Sequence, residues 1–291
     1  MKRVLLMLVT IAMVLMVMTA CTKKSNHNAM GHGAQETSTG HGAHETFTGH
    51  GAHGGADGSE HKDTTTASWT FSTSKLTAGE ITEVTIQIQD KEGKAVKSFD
   101  INHEKKMHLI VVSKDLSYFD HIHPEYKEEG TFVVQTKLPS AGSYKLIADY
   151  IPTGSGATSQ SHWVTVEGKY SVQEGINPES SLVKKVGDIE VTLSFDQLMA
   201  NMDVNLNFNM IDVHTGKPIK DLQPYLGAVG HVVILSSDAE QYLHVHPTDE
   251  SAKGPDAQFR TSFPTSGVYK IWGQFQRNDK PFIVSFVVKV P

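Results

Sequence analysis

The chain carries one pattern twice, so whatever it folds into must be a tandem duplication. Gly93-Lys-Ala-Val96 returns as Gly216-Lys-Pro-Ile219, and His121-Ile-His-Pro124 as His244-Val-His-Pro247, both 123 residues later. Ala141-Gly-Ser-Tyr-Lys-Leu-Ile147 returns as Ser266-Gly-Val-Tyr-Lys-Ile-Trp272 at an interval of 125, so two residues are inserted between these matches. His108 stands twelve residues after Val96, and His231 twelve after Ile219. Each copy therefore contains the pattern His-x12-His-x-His-Pro.

Within the copies the apolar residues alternate. Glu83–Asp90, Ile189–Phe195 and Val204–Met210 each read as half-buried strands of period two, bounded by turn residues. No long stretch of helical period interrupts them. The expectation is an all-β protein of two tandem immunoglobulin-like Greek-key sandwiches. A length of 291 residues is enough for two cores. The predicted organisation is a signal peptide over 1–20, a disordered tail over 21–66, a first sandwich over 67–168, a linker over 169–186 and a second sandwich over 187–291.

The leader sets the compartment. Lys2 and Arg3 precede an apolar run from Val4 to Met18, and the small residues Thr19 and Ala20 then lead to Cys21. This is the architecture of an export signal. Met-Thr-Ala-Cys at its end resembles a lipobox, which makes Cys21 the lipidated first residue of a bacterial lipoprotein. The competing reading is an uncleaved anchor of about 18 apolar residues, marginal for a span. Either way the rest of the chain lies outside the cytoplasm, anchored to the bacterial membrane. Cys21 is the only cysteine, so no disulfide and no thiolate metal site can form in the folded part. The charge balance of 26 basic against 32 acidic residues argues against nucleic acid as a partner.

After Cys21 the composition falls to Gly, Ala, His, Thr and Ser, with a nine-residue repeat spanning Gly31–Asp57. Such a segment cannot bury a core and is expected to be disordered. It holds His27, His32, His41, His44, His50, His53 and His61. Of these, His32, His41, His44, His50 and His53 are candidates for loose metal capture, because flexible neutral imidazoles suit zinc, copper and nickel. A plain solvated tether is the alternative, and the two are compatible.

The repeated histidines are the candidate site. If Lys114–Ser117 is a four-residue loop, Ser113 faces Tyr118 and His108 faces His123. His121, two residues from His123, shares its side of the sheet. His108, His121 and His123 then form one patch, and His231, His244 and His246 another. Three imidazoles on rigid strands suit copper or zinc with one coordination position open. A buried cluster of structural histidines would survive duplication equally well. Met107 alternates to the opposite face and reads as core, so a cuprous His/Met site is disfavoured. His103 and His162 have no matching histidine in the second copy and are candidate fourth ligands. His214 reads as exposed, Glu125, Glu128 and Glu129 as a solvated acidic loop, and Tyr144 and Tyr269 as core aromatics.

Gly93–Val96, Met107-His108 with Asp115, His121–Pro124 and Gly142-Ser-Tyr144 resemble the YtkA-like family of exported bacterial β-domains, related in outline to FixH-type proteins. The matching residues of the second copy are Gly216–Ile219, Gly230-His231 with Asp238, His244–Pro247 and Gly267-Val-Tyr269. The resemblance covers Ala67–Glu167 and Asp188–Val290. It implies a Greek-key sandwich and copper handling or oxidase assembly outside the cell. Gly230 departs from a His/Met copper pattern in the second copy. The leading expectation is a lipid-anchored protein that buffers copper, or next zinc, or delivers it to a membrane transporter or oxidase. The alternative is a non-enzymatic binding or adhesion module with structural histidines. Enzymatic activity is not expected: His121-x-His123 lacks the downstream cupin motif, and no Gly-x-Ser-x-Gly, phosphate loop or HExxH occurs.

Overall fold

The structure is a computed structural model that describes residues 65–172 and 175–291. The leader, Cys21 and the tail histidines lie outside the described residues. Among the described residues every regular element is a strand.

The first repeat contains β1 (Thr65–Phe71), β2 (Leu76–Thr77), β3 (Ile81–Asp90), β4 (Phe99–Asp100), β5 (Met107–Ser113), β6 (Phe119–Ile122), β7 (Glu125–Tyr126), β8 (Thr131–Lys137), β9 (Gly142–Pro152) and β10 (Thr158–Glu167). The second contains β11 (Val183–Val186), β12 (Ile189–Phe195), β13 (Asp203–Asp212), β14 (His231–Ser236), β15 (Tyr242–Val245), β16 (Asp256–Ser262), β17 (Gly267–Arg277) and β18 (Lys280–Val290). Strand pairing begins at Thr65, inside the stretch expected to be tail. The end of the expected linker, Val183–Val186, pairs with β12 and so belongs to the second sandwich.

Each repeat is two sheets. In the first, β1-β3-β8-β7 packs on β2-β10-β9-β5-β6, with β2 running parallel to β10. In the second, β11-β12-β13-β16 packs on β15-β14-β17-β18. Strands from the early and late parts of each repeat interleave, which is the immunoglobulin-like arrangement of one outer and one C-F-G-type sheet. β3 and β13 bury side chains in the same alternating pattern, as their period-two sequences require. The inward residues form one core per repeat, built around Ile86, Phe132 and Tyr150 in the first and Phe208, Phe259 and Phe275 in the second.

Tyr144 and Tyr269 do more than fill these cores. Tyr144 donates its hydroxyl to Ser140 O at 2.9 Å, and Tyr269 donates to Thr265 O at 2.9 Å. This is the tyrosine corner of immunoglobulin-like folds, present in both repeats.

β5 and β14 are buried along their whole length. Their odd and even residues therefore need different partners. Met107, Leu109 and Val111 enter the core of the first sandwich. Ile110, Val112, Leu116 and Ile147 instead meet Val233, Leu235, Ala239 and Trp272 of the second repeat. The two repeats form one compact unit, joined sheet to sheet.

Equivalent residues exchange roles across this junction. Lys145 Nζ donates to Ala239 O at 2.7 Å, and Lys270 Nζ to Leu116 O at 2.8 Å. The interface has the reciprocity of an isologous dimer, with both halves on one chain.

Met107 is core, as its alternation demands. Its counterpart is glycine for a steric reason: a Cβ on Gly230 would lie 2.5 Å from Phe275 Cδ1 and 2.6 Å from Gln274 O. Gly230→Met is expected to lower the unfolding free energy by about 1–3 kcal/mol through overpacking. Tyr144→Phe and Tyr269→Phe should each cost about 1 kcal/mol. The exposed Tyr170→Phe is the neutral control, and urea unfolding reads all four.

Candidate metal centre

The first hairpin has the parity that its loop length requires. Ser113 N donates to Tyr118 O at 3.2 Å, and β5 pairs with β6 as Leu109↔Ile122 and Ile110↔His121. One step further along this register, His108 meets His123. The second hairpin pairs Val232↔Val245 and Val233↔His244, which sets His231 across from His246 in the same way. Asp115 holds the first loop by accepting from Ser113 Oγ and Ser117 Oγ, and Asp238 accepts from Ser236 Oγ in the second.

Both patches lie on the sheet faces that meet at the repeat interface, so they form one continuous cluster. The ring centres of His108 and His244 are 5.1 Å apart, and those of His121 and His231 are 6.1 Å apart. His103 joins from the first repeat, 4.6 Å from His231 and 4.2 Å from His246. The candidate His162 lies elsewhere, exposed on β10 and stacked on Trp69. His214 is exposed beside Asp188, and Glu125 and Glu129 are paired with Lys127 and Lys97 at the surface.

Among the described residues, His108, His121 and His123 are the group whose ligand atoms already converge, within 4.8 Å of one another. His108 Nδ1 and His121 Nε2 are 2.9 Å apart, and the equivalent His231 Nδ1 and His244 Nε2 are 3.4 Å apart. Two nitrogens on a tetrahedral zinc with bonds of 2.0–2.1 Å would be about 3.3 Å apart. The buried Nε2 atoms of His123 and His231 have no hydrogen-bond partner.

Three of the outward nitrogens of the cluster have partners. His108 Nε2 donates to Asn102 O at 2.9 Å. His121 Nδ1 lies 2.5 Å from Gln274 Oε1 and His244 Nδ1 lies 2.8 Å from Asp149 Oδ2. Asp149 and Gln274 sit at matching positions of β9 and β17, opposite His108 and His231 in register, and each reaches a histidine of the other repeat. Tyr242 also donates to Asp149 Oδ2, at 3.0 Å. The carbonyl of Asn102 and the carboxylate of Asp149 hold the protons on the outer nitrogens and direct the lone pairs of His108 Nδ1 and His244 Nε2 inward. With Gln274 Oε1 accepting from His121 Nδ1, the lone pair of His121 Nε2 joins them. Metal-ligating histidines are oriented by this kind of outer partner.

Burial keeps these rings neutral. It pulls His108 and His121 down to about 4, helped by the neighbouring imidazoles His121 and His123 respectively. Burial, then His108 and Lys105, brings His123 to about 3. His231 and His244 fall well below 6.5, first through burial and then through adjacent imidazoles. Neutral rings offer lone pairs without having to lose protons first.

The sign of the pH dependence follows. Above about pH 6.5 these histidines are neutral in both the folded and unfolded chain, so they add no pH dependence. Below it the unfolded chain takes up protons that the folded chain refuses until about pH 4 or lower. Metal-free protein should therefore lose stability as pH falls from 6.5 to 4. Each such histidine contributes about 1.4 kcal/mol per pH unit in that window. A thermal melting series in chelator would check this; a melting temperature constant across the window would contradict it.

The family described as Domain of unknown function (DUF8832) matches residues 61–168 and again 184–291. No curated protein matches the sequence. Among solved structures, the adhesin FdeC of Escherichia coli is similar at 14% identity, over 77% of this chain and 64% of that one, with a TM-score of 0.27. The Yersinia pseudotuberculosis adhesin InvE is similar at 9% identity, over 77% and 58%, with a TM-score of 0.26. A two-domain fibronectin type III segment of chicken tenascin is similar at 12%, over 76% and 97%, with a TM-score of 0.23. The chain spans less than two thirds of the two bacterial adhesins it matches.

Proposed function

This chain belongs to the DUF8832 family in both of its repeats, and we propose that it is a metal-binding protein that holds copper, or zinc in its place, in the histidine cluster between the repeats. The observation that carries this reading is the set of acceptors on the outer ring nitrogens. Asn102 O, Gln274 Oε1 and Asp149 Oδ2 hold the outer N–H groups and leave inward lone pairs facing one another. Facing lone pairs repel unless a cation lies between them.

His108 Nδ1, His121 Nε2 and His123 Nε2 are the donors for the ion. Nitrogen donors without thiolate suit cupric copper and zinc, and the buried walls exclude water from the donor set. The chain binds and releases the ion rather than turning over a substrate. Lipidation at Cys21 would hold the protein to the outside of the bacterial membrane. The tail histidines His32, His41, His44, His50 and His53 would gather ions at low affinity, for buffering or for delivery to a membrane transporter or oxidase. The resemblance to YtkA-like domains agrees with this role.

One observation favours a second reading, an immunoglobulin-like binding or adhesion module with structural histidines. If His121 carries its proton on Nε2, it donates to His108 Nδ1, and the Gln274 NH2 group can donate to His121 Nδ1. His108 and His121 are then satisfied without an ion.

Melting of the full-length chain separates the two, because ions held only by the tail histidines do not stabilise the folded repeats. On the metal reading, saturating Cu(II) or Zn(II) at 100 times Kd stabilises the fold by about 2.7 kcal/mol. The effect disappears in the variant with His108, His121 and His123 all changed to alanine. On the second reading metal leaves the melting temperature of the parent unchanged.

A further inference from the structure

The second repeat's histidines do not repeat the first patch exactly, and one added residue is part of the difference. The turn at Asn102–Lys105 and the turn at Tyr225–Ala228 are equivalent, each closed by an isolated β-bridge. His103 and Leu226 occupy the same place in them, with φ of 44° and 52°. His103 is therefore a histidine that its turn does not require. It crosses the interface and packs against His231 and His246 at ring distances of 4.6 and 4.2 Å. Glu104 beside it passes over Gly227, where a Cβ would stand 3.5 Å from the glutamate side chain.

The two patches also differ in how they are satisfied. His108 Nε2 reaches Asn102 O, whereas the equivalent His231 Nε2 has no hydrogen-bond partner on a fully buried ring. A buried imidazole nitrogen without a partner forfeits the solvation of a polar group, a cost removed when the ring turns that nitrogen onto an ion. His244 next to it is oriented by Asp149, a carboxylate supplied by the first repeat. The neutral Gln274 stands in the equivalent place beside His121.

We propose that His103 completes a second metal position with His231, His244 and His246, so that the interface binds two ions in adjacent, unequal sites. This rests on the metal-binding reading above and adds a cross-repeat site to it. The first site draws its ligands from one repeat and its outer acceptor Gln274 from the other. The second draws ligands from both repeats and thereby ties them together. Its ligand atoms are less converged than those of His108, His121 and His123. It should therefore be the weaker of the two, because rings must turn to close it. Burial disfavours a charged His103, while the negative charges of Glu250 and Glu104 act on the ring in the opposite sense and favour a cation beside it.

The test uses the full-length chain with its tail histidines changed to alanine, so that only the folded part binds. Zn(II) titration by calorimetry should give two ions per chain with distinct affinities. His103→Leu takes the residue that already occupies the equivalent left-handed turn, so folding is preserved. It should weaken the second ion by about 100-fold or more while leaving the first within about 2-fold. Loaded with Cu(II), the parent should show the half-field electron paramagnetic resonance transition of two neighbouring cupric ions, and His103→Leu should lose it.

One ion per chain, or two unchanged in His103→Leu, would overturn the second site while leaving the first intact. Loss of both ions together in His103→Leu, with circular dichroism unchanged, would overturn the inequality of the sites. No ion bound by the parent would remove the metal-binding reading itself.

Discussion

The burial of one sheet face of each repeat against its counterpart organises everything else in this molecule. An immunoglobulin-like sandwich needs only the inner faces of its sheets for its own core. Here the outer faces of β5, β9, β14 and β17 are covered as well, by Ile110, Val112, Ile147, Val233, Leu235 and Trp272. Apolar burial of that kind is non-directional and strong enough to carry polar passengers with it. His108, Lys145 and Asp149 are such passengers in the first repeat, and His231, His244 and Gln274 in the second.

Polar groups taken into an interior must find partners, and the duplication supplies them reciprocally. Lys145 and Lys270 each reach a main-chain carbonyl in the opposite loop, and Asp149 and Gln274 each reach a histidine of the opposite repeat. A duplication starts with two identical faces, and the substitutions now seen on them break that identity only locally. Asp149 against Gln274 and His103 against Leu226 are two such breaks at the histidine cluster, and Met107 against Gly230 is a third, away from the meeting faces. The first two make the histidine cluster unequal across its axis. The third belongs to the core, where Phe275 occupies the room that a side chain on Gly230 would need.

Much of the fold was readable beforehand because it depends on local periodicity. The alternation in Glu83–Asp90 and Val204–Met210 could only suit half-buried strands, and the repeat of His-x12-His-x-His-Pro fixed the hairpin parity once the loop length was counted. The continuous apolar runs Leu109–Val112 and Val232–Leu235 carried a further signal, since a strand apolar on both sides must be covered on both. That signal called for a second cover on each strand without naming what supplies it, so one patch per copy was legible where the structure joins the two into one cluster. The tyrosine corners were less accessible, because a core tyrosine and a corner tyrosine look alike until the partner carbonyl is located. Asp149, Gln274 and Asn102 carried no motif at all. Their role depends on atoms brought together across the interface.

By itself the sequence determined that the chain is a duplicated all-β protein, and that each copy places three histidines on one side of a hairpin. Period-two alternation and loop length are short-range properties, so residues near one another in the chain suffice to specify them. Only the tertiary structure decided that the two histidine faces meet, that His103 belongs with the other repeat's rings, and that Asp149 and Gln274 orient them. Those outcomes depend on contacts between residues about 90 to 150 positions apart. Sheet-to-sheet packing sets such contacts, and no local pattern encodes them.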